Sequence, residues 1–147
     1  MYNKIPKRYI PSILSKKDRV TQKRAILRAR KSYKKQKYIN RPHLASFVNH
    51  KSPHIFRATN LYGVSTLKPS RTLARATGCS QSALKKIINK GEGAYYSSGS
   101  RPNQTAQSWG YARLGSTLTG GPASKIDYNI LKQGCSPNSR PLQLAKV

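Results

Sequence analysis

The alternation of apolar and polar positions changes character several times along the chain, and each change predicts an element. Residues 1–14, "MYNKIPKRYIPSIL", interleave bases with Ile5, Tyr9, Ile10, Ile13 and Leu14 around Pro6 and Pro11. Proline fixes φ and removes a donor, so this leader is expected to run extended, reaching about 45 Å at ~3.3 Å per residue. Ser15-Lys16-Lys17-Asp18 has the form of a capping box with Asp in place of the usual Glu, and a helix is predicted behind it over 16–36. Its apolar stripe (Val20, Ile26, Leu27, Ala29, Tyr33) is narrow, and Lys and Arg occupy most of the remaining face. Pro42 and Pro53 punctuate a connecting stretch, after which a short helix is predicted over 54–60, ending near Gly63.

The stretch 70–91, "SRTLARATGCSQSALKKIINKG", carries the strongest pattern. Ser70 caps a first helix bearing Leu73, Ala74 and Thr77, Gly78 permits a left-handed turn, and Cys79 is a small buried residue after it. Ser80 caps a second helix with Leu84, Ile87 and Ile88 at core spacing. Gly91 and Gly93 are expected to end that helix, leaving "AYYSSGSRP" as a turn-rich loop. Asn103 or Thr105 then caps a helix bearing Trp109, Ala112, Arg113 and Ser116, stopped by Gly120-Gly121-Pro122. A last short helix spans 127–133 before Gly134, and the tail "SPNSRPLQLAKV" is expected to be extended.

The sum is a mainly α fold: a small helical module containing a helix-turn-helix-like pair, preceded by an extended basic arm and a long basic helix. The divisions fall at 1–63 for the arm and helix, 64–135 for the module and 136–147 for the tail. Tyr95, Tyr96, Trp109, Leu84, Ile87, Ile88, Ile130 and Leu131 supply its core.

Charge sharpens the picture. Among 147 residues there are 29 Lys and Arg against three acids, a formal charge of +26. Residues 1–57 hold 17 of the 29 bases, with Asp18 as their one acid. A compact state with that charge repels itself, so a polyanionic surface is the expected companion: nucleic acid, anionic headgroups or the acidic face of an assembly. The basic helix is read as presenting its cationic face to such a partner. No apolar run approaches a membrane span and the N-terminus lacks the apolar region of a signal peptide, so the chain reads as intracellular and soluble, or peripherally bound. Cys79 and Cys135 are too few for a disulfide framework; they are expected to be buried thiols, with a disulfide the alternative if the mature particle resides outside a cell.

The helix pair resembles a DNA reader, with Gln81, Lys85, Lys86 and Lys90 as candidate nucleic-acid contacts. Its outward face has no Arg or Asn to read a base, however, and Lys supplies charge without sequence information. A bare helical hairpin is the favoured meaning. Glu92 and Asp127 flank the module, and in a chain so poor in acids they are expected to form structural ion pairs with Arg101 or Arg113 rather than a catalytic pair.

The block "KGEGAYYSSGSRPNQTAQSWGYARLGSTLTGGPASKIDYNILKQGC", with "IPKRYIPSILSKKDR" and "RKSYKKQKYINRP", is similar to an uncharacterised family of small basic proteins of giant nucleocytoplasmic large DNA viruses, chlorovirus relatives included. The resemblance implies a viral origin and a shared fold. It implies no chemistry.

Nothing in the sequence points to catalysis. No Gly-rich phosphate loop follows a strand, and His43, His50 and His54 lie in the arm, away from Glu92 and Asp127. His50 and His54 sit four apart, but Pro53 spoils the helix that would align them; with Cys79 they make only a nominal metal site, and no metal or other cofactor is expected. A virion structural protein is the reading the sequence favours, a minor capsid or cement component on the inner face of a capsid assembled in a host cell. In that role Ile5, Lys7, Arg8, Tyr9, Ile10, Ile13, Lys16, Lys17, Arg24, Arg28, Lys31 and Lys34 bind the major and minor capsid proteins, the leader's apolar side chains gripping another polypeptide. Viral DNA and internal-membrane headgroups are the alternative targets, and a genome-binding virion protein is the alternative role.

Overall fold

The computed structural model describes residues 4–48 and 52–146. Among these, a 3₁₀ turn at Lys7–Tyr9 precedes eight α-helices: α1 (Lys16–Lys34), α2 (Pro53–Tyr62), α3 (Arg71–Thr77), α4 (Gln81–Ser97), α5 (Ala106–Leu118), α6 (Pro122–Ile126), α7 (Tyr128–Gly134) and α8 (Arg140–Ala145). Mainly helical architecture is therefore what the chain adopts. Two units divide it, one from the described parts of Met1–His50 with Glu92–Trp109, the other from those of Lys51–Gly91 with Gly110–Val147. The units cut across the linear arm, module and tail expected from composition, because α4 and α5 each contribute residues to both.

In the first unit, α1 begins where Ser15 Oγ accepts the Asp18 amide at 3.1 Å. The second half of the capping box is rerouted: Asp18 accepts from the Ser46 amide at 3.1 Å and from the Ser46 hydroxyl, while the Ser15 amide donates to Ser46 Oγ at 3.0 Å. Ser46 thus relays between the cap and the acid. The inner face of α1 buries Gln22, Ile26 and Ala29.

The leader is not extended. The carbonyls of Pro6 and Pro11 accept from the amides of Tyr9 and Leu14, at 3.0 and 3.1 Å, so each proline opens a turn. Those turns carry Tyr9 and Leu14 into the unit's own core, where they are 6% and 3% exposed. The Tyr9 ring stands edge-on to Trp109 with centroids 5.8 Å apart.

In the second unit the hairpin of α3 and α4 forms as its sequence predicts. Ser70 Oγ accepts the Leu73 amide, Gly78 takes φ 76° in the left-handed region, and Ser80 Oγ accepts the Ala83 amide. Leu73, Leu84, Ile87, Leu114, Leu118 and Leu131 are fully enclosed in the core. α4 does not stop at Gly91 or Gly93 but continues to Ser97. A mid-helix glycine costs about 1 kcal/mol, whereas the turns beyond the glycines carry Tyr95, 1% exposed, into the core of the first unit, and burying an aromatic ring contributes about 3 kcal/mol or more, so tertiary packing outweighs the two breakers. The tail is not extended either: α8 buries Pro141, Leu142 and Ala145.

Cys79 and Cys135 are buried, as expected, but they are not thiols. They form a disulfide across 56 residues. The Ser80 amide donates to the Gly134 carbonyl at 2.8 Å and the Ser136 amide to the Gly78 carbonyl at 2.9 Å, bracketing the bond on both sides.

Candidate nucleic-acid interface

With the inner face of α1 fixed by Gln22, Ile26 and Ala29, the helical repeat decides where its bases point. Lys17, Arg24 and Lys31 recur at seven-residue intervals, and Arg28 lies beside them, on the face opposite the buried stripe. Every Lys and Arg of α1 except Arg30 is exposed. From Lys17 to Lys34 the row runs about 25 Å at 1.5 Å per residue. Asp18, in the first turn, is the one acid of α1; hydrogen bonds from Ser46 hold its pKa below the usual carboxylate value, so it stays ionised and offsets a single charge at the start of the row, beside Lys17.

The row needs a stiff support, and one buried and two half-buried polar side chains provide it. Gln22 Nε2 donates to the carbonyls of Tyr9, at 3.1 Å, and Ser100, at 3.3 Å. Arg30 Nε donates to the Ser98 carbonyl at 2.8 Å. Arg41 lies over the Tyr95 ring, 3.8 Å from its centroid, and donates to the Tyr95 carbonyl and Ser100 Oγ, both at 2.7 Å. Desolvation lowers the Arg41 pKa from its ordinary value, a sign of how deep this cation sits. Sequence reasoning missed Gln22, Arg30 and Arg41, since a polar residue in a basic stretch carries no mark of the distant carbonyls it will meet.

The leader residues expected to bind a partner divide by position. Tyr9 is core, and Ile5 and Ile10 are half-buried. Lys7 and Arg8 are exposed, with the Arg8 guanidinium 4.9 Å from the Tyr9 centroid, and Ile13 is 70% exposed. Lys16, Lys17, Arg24, Arg28, Lys31 and Lys34 are all exposed on α1.

On the hairpin, Gln81, Lys85 and Lys86 face outward, but Lys90 is engaged: its Nζ lies 3.1 Å from Asp127. Asp127 is wholly buried and takes Arg113 as the sequence anticipated, through Nε at 3.0 Å and Nη2 at 2.7 Å, with Thr117 Oγ1 donating at 2.8 Å. Burial pushes the Asp127 carboxyl up, yet Arg113 and Thr117 outweigh it and leave the group below its ordinary value. Glu92 forms no ion pair among the described residues, nor does the exposed Arg101, so the expectation of a second structural pair is corrected. A carboxylate half open to water gains little from such a pair and survives without it.

Of the nominal metal ligands, His50 lies outside the described residues, Cys79 is consumed by the disulfide, and the His54 ring nitrogen sits 3.0 Å from Arg57 Nη2. No group of three or more His, Cys, Asp or Glu among the described residues could hold a metal ion, and no helix there is long and apolar enough to cross a membrane.

Residues 6–130 match the model of a Family of unknown function (DUF5824). The chain belongs to that family. The DUF5824 span takes in the whole of α1 and the Arg113–Asp127 pair, while Cys135 and α8 lie beyond it. No curated protein and no solved structure matches the chain.

Proposed function

We propose that the chain binds nucleic acid inside the particle of a large DNA virus, neutralising phosphates with the outer face of α1. The observation that carries this reading is the row Lys17, Arg24, Arg28, Lys31 and Lys34, all exposed on a helix whose one acid is Asp18. A polyphosphate releases condensed counterions to such a row, and that release supplies affinity without sequence preference. The viral setting rests on the family resemblance in the sequence. The reading involves binding and not catalysis.

The cement reading is weakened at the point on which it stood. It required the leader's apolar side chains to seek another polypeptide, whereas Tyr9 and Leu14 are lodged in the chain's own core. It keeps one supporting observation, the exposed Ile13, and so stands second.

The test is a comparison of duplex DNA binding by two charge-reversed proteins. Arg24→Glu with Arg28→Glu and Lys31→Glu is expected to abolish a complex seen with the wild type at physiological salt. Lys85→Glu with Lys86→Glu is expected to weaken it only modestly. The reverse order would move the interface to the hairpin, and retention of capsid protein by a wild type that ignores DNA would favour the cement role.

A further inference from the structure

Beyond the last turn of α1 the chain builds a feature that phosphate neutralisation does not use. The Gln36 amide donates to the Tyr33 carbonyl and the Lys37 amide to the Ser32 carbonyl, both at 2.9 Å. This closure normally places glycine at the left-handed position, yet Gln36 occupies it with φ 60°. A side chain there costs free energy, and the reversal it achieves is to carry Tyr38 back beside Tyr33. Their ring centroids lie 5.8 Å apart, and on its other side Tyr38 is 5.2 Å from Tyr96. Tyr96 stands edge-on to the buried Tyr95 at 5.1 Å, which anchors the row.

Tyr38 nevertheless remains 62% exposed. An aromatic ring held on two sides and left open on the rest has been positioned without being buried. Lys34, Lys35 and Lys37 around it are exposed too. Cations beside an open aromatic surface match a ligand that carries phosphates and free base faces together.

We propose that Tyr38, with Tyr33 and Tyr96 behind it, is a stacking platform for an unpaired base of single-stranded nucleic acid whose phosphates lie on Lys34, Lys35 and Lys37. This deepens the nucleic-acid reading and rests on it. A duplex keeps its base faces stacked inside, so the platform adds nothing to duplex binding. It separates single strands from every other polyanion that the basic row attracts.

The experiment uses the full oxidised chain and three probes: an oligo(dT) strand, a duplex of equal length, and inorganic polyphosphate as a base-free competitor. Tyr38→Ala is expected to weaken oligo(dT) binding by about tenfold or more, the scale of one lost base–aromatic contact, and to leave duplex and polyphosphate binding unchanged. Tyr38→Phe, which keeps the ring, is expected to retain wild-type affinity for oligo(dT). The platform is refuted if Tyr38→Ala changes none of the three, or weakens all three alike. It also falls if Tyr38→Phe loses as much as Tyr38→Ala. A wild type that binds neither nucleic acid nor polyphosphate would sink the underlying reading itself, a result distinct from failure of the platform alone.

Discussion

Arg113 holds Asp127 by both ends of its fork, Nε at 3.0 Å from one carboxylate oxygen and Nη2 at 2.7 Å from the other. The acid is completely buried, and Thr117 and Lys90 complete its shell. In a chain of formal charge +26, one of three carboxylates is therefore spent inside the second unit to tie α4, α5 and the α6–α7 junction together. Removing one partner of a buried pair costs more than the pair itself contributes, because the other charge is stranded.

Asp127→Ala is accordingly expected to destabilise the protein by about 3–5 kcal/mol in chemical denaturation, leaving Arg113 and Thr117 without their acceptor. Arg113→Lys keeps the charge but not the fork, and its loss should be smaller. Unchanged midpoints in both variants would remove the pair from the account.

The same pair sets an acid limit. The folded-state pKa of Asp127 lies below its ordinary value of 3.8, so the native state binds a proton less readily than the unfolded one. The contribution is therefore complete above about pH 4–5 and is lost as pH falls through the folded pKa. Asp18, lowered by its hydrogen bonds to Ser46, acts in the same direction. Stability measured against pH should fall steeply below pH 4 in the wild type, and less steeply in Asp127→Asn.

The Cys79–Cys135 bond closes a loop of 56 residues, which by loop entropy is worth about 4 kcal/mol. Reduction should lower the unfolding free energy by that order while the helical signal persists, since backbone hydrogen bonds flank the bond on both sides. A reduced protein of undiminished stability would contradict the staple.

Two helical glycines are expected to respond in opposite ways. A Cβ at Gly115 would lie 2.6 Å from the His54 carbonyl oxygen and 2.9 Å from the Ile55 nitrogen, so α5 and the start of α2 must separate. Gly115→Ala should cost about 1–3 kcal/mol. A Cβ at Gly93 would meet only the Tyr33 hydroxyl, at 3.9 Å, and Gly93→Ala should gain about 0.5–1 kcal/mol from helix propensity. Thermal melts of the two variants check both signs.

That contrast also marks what could be read in the sequence. Ser70, Gly78 and Ser80 announced α3, its left-handed end and α4 because capping and turn chemistry are local. Ser15 likewise announced α1, although the Ser46 relay joins residues 31 apart and left no trace nearby. Gly120-Gly121-Pro122 stops α5 as its sequence predicts, but Pro122 and Pro141 also each stand in the first turn of a further helix, where the missing amide costs nothing. The leader misled most. Interleaved bases and apolar groups suit either a strap on a partner or a segment folded at home, and only long-range packing against Trp109 decides for Tyr9. Of the site, the exposed bases of α1 were legible. Gln22, Arg30 and Arg41 beneath them were not, because their role depends on carbonyls brought in from distant segments.

The salt dependence of DNA binding tests the central claim most directly. Association constants of the oxidised chain for DNA, measured from low to physiological salt, should fall log-linearly, each phosphate contact adding about −0.9 to the slope. Replacing Arg24, Arg28 and Lys31 by neutral residues should flatten that slope by roughly 2–3. Binding that ignores salt, or a slope indifferent to those three residues, would contradict a phosphate-neutralising role for α1.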